Sequence, residues 1–153
     1  MTLTFQITEK CSKEVEPILR TLPEWFGIEE STLMYIRDAD TMPSMLVRDR
    51  DEVIGFVTIK YHFPESADIW CMGILPKYHR TGTGRLLLEA LEAHLKKEGV
   101  KFLQVKTVSD GSTDNAYAKT RAFYRGVGFT PIEIFPTLWD EWNPALLLMK
   151  SLQ

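Results

Sequence analysis

Ile74-Leu75-Pro76-Lys77-Tyr78-His79-Arg80-Thr81-Gly82-Thr83-Gly84-Arg85-Leu86-Leu87-Leu88 reads as an apolar strand, a basic glycine loop and the first turns of an amphipathic helix. Backbone N–H groups at a helix start lack intrahelical acceptors, and the helix dipole favours negative charge there. Two glycines let a diphosphate approach those groups closely, and Lys77, Arg80 and Arg85 add positive charge with no acid among them. A phosphate-bearing ligand is the first expectation. A nucleotide triphosphatase is disfavoured, because Gly82 and Gly84 are one residue apart and are followed by Arg85-Leu86 rather than Lys-Ser or Lys-Thr. The dinucleotide fingerprint fails as well, since Leu87 stands where its third glycine belongs.

Three stretches together resemble the GNAT family of N-acetyltransferases. His79-x-x-Gly82-x-Gly84 after Pro76 is similar to the family signature, in which Gln or Arg usually precedes the glycine pair. Tyr117-x-x-Thr120-Arg121-x-Phe123-Tyr124-x-x-x-Gly128-Phe129 resembles the family's C-terminal motif, which more often has Asn at the first position and Ala at the fourth. Ala67-Asp68-Ile69-Trp70-Cys71-Met72-Gly73-Ile74 resembles its central strand, where some members carry a catalytic Glu at the place of Asp68. These matches span residues 67–129 in the family's order.

The composition is that of a globular protein: 153 residues, 44% hydrophobic and 25% charged. A net charge of −3 argues against nucleic acid as a partner. Cys11 and Cys71 make a disulfide framework improbable and a reducing compartment the expectation. His62, His79 and His94 show no metal-ligand spacing, so no metal is expected. Without a signal sequence or a membrane-length apolar run, the expectations are no membrane association and a cytoplasmic location.

No linker or repeat divides the chain, and a single domain over residues 1–153 is expected. Leu3, Phe5 and Ile7 alternate as an edge strand. Helical spacing runs from about Ser12 to Leu22, with Pro17 as a candidate for the true first turn, and a second helix is expected over Glu29 to Asp38. A hairpin pairs Met45 to Val47 with Val53 to Tyr61 around a charged turn, and a strand over Ala67 to Leu75 follows. Leu87, Ala90, Leu91, His94 and Leu95 mark the apolar face of the helix after the glycine loop, which Gly99 ends; His94 is expected to sit in the core. A strand over Phe102 to Val108, a helix over Tyr117 to Val127 and strands over Thr130 to Phe135 and Ala145 to Lys150 complete the chain. Trp139 to Pro144 reads as a loop with two aromatics and two acids.

This element order matches what the resemblance implies. The class is α/β (α+β), a mixed central sheet of six to seven strands with about four helices on both faces, the acyl-CoA N-acyltransferase fold. The cosubstrate would be acetyl-CoA, cradled by His79, Arg80, Thr81, Gly82, Thr83, Gly84 and Arg85, with Tyr117 and Arg121 as further contacts. The backbone of Met72, Gly73 and Ile74 would meet the pantetheine arm, Gly73 having no side chain to obstruct it. The acceptor would be a primary amine, on a small molecule or a peptide, in a pocket lined by Trp25, Phe26 and Trp70. Homodimers are common among such proteins. Attack of an amine on a thioester needs a neutral nucleophile, a donor for the oxyanion and a proton for the thiolate. Tyr124 is the candidate acid, since a phenol stays protonated at neutral pH, and Asp68 is the candidate base, directly or through water. An apolar strand setting makes Cys71 a poor nucleophile, which favours direct attack in a ternary complex. The alternatives are a CoA-binding or partner-binding domain without transfer chemistry and, more remotely, a nucleotide-binding protein.

Overall fold

A computed structural model of the protein describes residues 1–110 and 115–153. Its elements are β1 (Leu3–Thr8), α1 (Ser12–Leu19), α2 (Glu29–Asp38), β2 (Ser44–Asp49), β3 (Glu52–Phe63), β4 (Ser66–Ile74), a 3₁₀ turn (Pro76–Tyr78), α3 (Thr83–Lys97), β5 (Phe102–Val108), α4 (Asn115–Gly126), β6 (Thr130–Asp140) and β7 (Asn143–Ser151). The strands follow the order β1-β2-β3-β4-β5-β7-β6. The chain divides into two compact units, Met1–Lys60 with Ile69–Glu98, and Tyr61–Asp68 with Gly99–Gln153.

In the first unit β1 runs antiparallel to β2, and β2 to β3, with a bulge at Val47/Arg48. Arg50 turns the second hairpin at φ 57°, and its N–H is held by the Thr2 carbonyl at 2.9 Å. Helix α1 starts at Ser12, so Pro17 lies inside it rather than in its first turn. Proline removes one intrahelical bond, here the one owed to the carbonyl of exposed Lys13, and the helix stops two residues later. Val15, Ile18 and Leu19 still bury one face, and Leu22 joins them from the turn that follows.

Their packing explains Gly73. A Cβ there would stand 3.1 Å from Leu22 and Phe56 carbons and 3.2 Å from Ile18, all three buried side chains. Glycine on this strand therefore lets the segment from α1 to Leu22 close on the sheet. The resemblance implies that Gly73 leaves the backbone open to a ligand; on the side where its Cβ would project, what it makes room for is the core.

In the second unit β5 pairs antiparallel with β7, and β7 with β6. Glu65, in the turn between β3 and β4, accepts the N–H groups of Lys101 at 2.7 Å and Phe102 at 3.1 Å, fixing where β5 begins. Helix α4 buries Tyr124 among its described side chains, and Gly128 leaves it at φ 102° with Phe129 N–H on the Tyr124 carbonyl, 2.9 Å.

Two expectations are corrected. β6 continues to Asp140, and only Glu141 and Trp142 separate it from β7, so the supposed Trp139 to Pro144 loop is mostly strand. Asp140 closes this turn by accepting the N–H groups of Trp142 at 2.9 Å and Asn143 at 2.8 Å. The expected strand over Thr130 to Phe135 is there, but burial alternation could not reveal its extension, because Leu138 and Trp139 are exposed. His94 is not a core residue: it sits at the side of α3, half-buried, with Nε2 3.4 Å from Glu98 four residues on.

Candidate active site

The stretch that opens α3 runs from strand through a glycine turn into a helix. Gly82 occupies the N-cap at φ 85°, a left-handed conformation that costs an L side chain about 1–2 kcal/mol. Nothing lies within 4 Å of where its Cβ would be, so conformation and open space, rather than packing, call for glycine. No side chain caps the helix, and its first internal bond is Leu86 N–H to the Gly82 carbonyl, 3.0 Å. The N–H groups of Thr83 and Gly84 precede that bond and have no intrahelical acceptor. Arg80 is also left-handed, at φ 62°.

Side chains hold this turn from behind. Thr81 donates to the Tyr78 carbonyl at 2.6 Å, and the Thr81 and Thr83 hydroxyls are 2.7 Å apart. Tyr78 donates its phenolic hydrogen to Asp49 at 2.7 Å. That bond pushes the Tyr78 pKa up to about 12, while the Thr2 N–H and then Tyr78 hold Asp49 below the usual carboxylate range.

His79, where Gln or Arg is usual, reaches back along the chain. Its Nε2 lies 2.7 Å from the Ile74 carbonyl, so Nε2–H donates to the last residue of β4. Its ring meets Trp25 edge-on, centroids 6.1 Å apart. His79 thus ties the loop to the strand and to an aromatic nominated for the acceptor pocket. Phe26 meets Tyr35 edge-on at 6.0 Å, and Trp25 and Phe26 both pack against the apolar core. Trp70 is fixed differently: its Nε1–H donates to Asp38 at 2.8 Å, and the Lys60 ammonium stands 4.5 Å from its ring centroid.

Asp68 lies in a cluster that local sequence patterns do not show. Its side chain is 3% exposed, and its Oδ2 accepts from His62 Nε2 at 2.8 Å and Gln104 Nε2 at 3.1 Å, with Lys106 Nζ at 3.5 Å. His62 was no candidate in the sequence. The signal was nonetheless there: β3 and β4 flank a two-residue turn, Pro64-Glu65, that returns residue 68 towards residue 62.

On α4, Tyr124 is buried and meets Phe123 and Phe129 edge-on at 5.3 and 5.5 Å. Tyr117 is half-buried. Arg121, expected at the cofactor phosphates, gives one guanidinium N–H to the Val108 carbonyl at 2.8 Å, at the end of β5. Cys71 is buried, which pushes its thiol far above the ordinary value, with Asp38 adding to the effect. No group of three or more His, Cys, Asp or Glu among the described residues is arranged to hold a metal ion.

Solved acetyltransferases share this arrangement of strands and helices. A GNAT-family protein from Desulfovibrio desulfuricans superposes with a TM-score of 0.86 at 15% identity, over 99% of this chain and 100% of that one. A GNAT-family acetyltransferase from Elizabethkingia anophelis with acetyl-CoA bound gives 0.77 at 17% identity, over 98% of each chain. Among the described residues, the seven-stranded mixed sheet with four α-helices is thus the acyl-CoA N-acyltransferase fold. The profile of the Acetyltransferase (GNAT) family matches residues 12–129, and the chain belongs to that family. An uncharacterized N-acetyltransferase of Chlorobaculum tepidum is 30% identical over 105 residues, 68% of this chain. The match spans 57% of that relative's length.

Proposed function

We propose that the chain, acting as one domain, transfers the acetyl group of acetyl-CoA to a primary amine by direct attack in a ternary complex. The observation that carries this reading is the open, uncapped start of α3 behind Gly82, in a family with acetyl-CoA-bound members. The N–H groups from His79 to Arg85 would hold the diphosphate, with Arg80 and Arg85 supplying charge and Tyr117 and Arg121 further contacts. Met72, Gly73 and Ile74 would offer backbone groups to the pantetheine arm; the Ile74 carbonyl already receives His79.

Tyr124 would give its phenolic proton to the departing thiolate and regain one from the attacking nitrogen. Its place on α4, in the stretch that resembles the family's C-terminal motif, supports that role. The buried, unreactive Cys71 supports direct attack over an acyl-enzyme route. Trp25, Phe26 and Trp70 would line the acceptor pocket, where their rings and Asp38 suit a cationic amine. Our reading of the cellular setting is the cytoplasm, supported by two free cysteines; among the described residues no helix is long and apolar enough to cross a membrane.

Thiol release from acetyl-CoA, followed across spermidine, kanamycin and a peptide with a free N-terminus, tests the reading. Tyr124→Phe is expected to lower kcat about 10²-fold or more while acetyl-CoA affinity by calorimetry is kept. Unchanged turnover would remove Tyr124 from the mechanism. Acetyl-CoA binding without thiol release on any amine would instead indicate a binding domain.

A further inference from the structure

A buried carboxylate that already accepts from two side chains and pairs with a lysine is poorly placed to meet a substrate itself, yet well placed to orient one of its partners. Asp68 is 3% exposed, whereas the His62 side chain is 33% exposed. Ionised Asp68 can only accept hydrogen bonds, so in neutral His62 the hydrogen resides on Nε2 and the Nδ1 lone pair is available. No described residue hydrogen-bonds Nδ1. A neutral imidazole with one nitrogen anchored on a carboxylate and the other open is a proton acceptor in a fixed orientation.

Asp68 precedes Met72 by four residues on β4, about 13 Å along an extended strand. Asp68 is the residue that the family resemblance nominates as base, and within its cluster His62 is the partly exposed member with an open ring nitrogen. Among the described residues, His62 pairs with Asp68 from β4, whose Oδ2 also meets Lys106 and neutral Gln104 from β5. On its own strand Lys60, two residues back, is engaged over Trp70.

We propose that His62 receives the proton of the acceptor ammonium at Nδ1, directly or through one water, and that Asp68 is its positioning residue. This rests on the acetyl-transfer reading above. The ammonium loses one proton to His62, which passes it to solvent. The neutral amine then forms the C–N bond as the C–S bond breaks, its second proton leaves by way of Tyr124 to the thiolate, and the third stays on the amide. Asp68 balances the transient imidazolium charge and holds the ring through Nε2.

The experiment measures kcat/KM against pH for wild type, His62→Gln and Asp68→Asn, using thiol release with the most active amine of the three probes above. In His62→Gln we expect a loss of about 10²-fold at neutral pH, with acetyl-CoA affinity within twofold of wild type. The loss should shrink as the pH rises and the amine deprotonates unaided, and added imidazole should restore part of it. Asp68→Asn should lower kcat with KM kept and move the ring hydrogen off Nε2, as a positioning role requires. Imidazole ¹⁵N shifts, which do not depend on turnover, should show neutral His62 with its hydrogen on Nε2.

An unchanged pH profile in His62→Gln, or a hydrogen on Nδ1, overturns the proposal while leaving acetyl transfer intact. If wild-type protein transfers to none of the amines, both readings fall.

Discussion

Around Gly82 the polar groups on offer are backbone N–H groups within one short run of chain, whereas around Asp68 they are side chains at residues 62, 68, 104 and 106, drawn from three strands. The loop derives its geometry from φ angles and helix electrostatics, so glycine matters there more than any side chain. At the Asp68 cluster the order is reversed: identity of the side chains is everything, and strand pairing supplies the geometry. Substitutions should separate the two regions cleanly.

The largest effect is expected at the cluster. Asp68→Ala leaves two donors without their acceptor and Lys106 without its ion-pair partner, and since His62 and Lys106 are partly exposed, water recovers some of the loss; about 2–3 kcal/mol of stability should go. Urea unfolding checks this, and a loss under about 1 kcal/mol would mean that the donors are indifferent to their carboxylate. The loop should answer to backbone changes instead. Gly82→Ala at φ 85° should cost about 1–2 kcal/mol and weaken acetyl-CoA binding, while Arg80→Gly at φ 62° should recover a similar amount by relieving the same strain. Shifts of the same sign in the two variants would show that packing rather than conformation rules the loop.

The smallest effect is a pH signature of the side-chain tether just before the loop. Tyr78 is raised to about 12, so its contribution is complete below the ordinary phenol value near 10 and fades as pH climbs from there through 12. Asp49 is lowered, so its contribution is present above the usual carboxylate range and is lost as pH falls through the depressed value. Tyr78→Phe should therefore unfold at lower urea than wild type at neutral pH, the gap closing at both extremes. A gap constant across the whole range would deny the Tyr78–Asp49 bond any role.

The same contrast explains what could be read from residues alone. The loop, α2 from Glu29 to Asp38 and β5 from Phe102 to Val108 coincide with their sequence-based expectations, because glycine turns, helical spacing and strand composition act over a few neighbours. β6 escaped in part, since an exposed strand carries no alternation to detect. His94 misled for the opposite reason: helical spacing puts it near the apolar stripe, but its ring sits half-buried at the margin, beside Glu98 one turn on. His62 needed knowledge of which strand residues face one another. His79 was visible as a departure from the usual signature, yet its bond to the Ile74 carbonyl is a property of the folded turn.

Burial of both cysteines carries a practical dividend. Cys11 is 0% and Cys71 6% exposed, and burial raises both thiols, leaving little thiolate to meet a colorimetric disulfide reagent while the fold persists. Absorbance in such an assay should then report released coenzyme with almost no protein background, and a sudden two-equivalent rise would flag unfolding in the same cuvette.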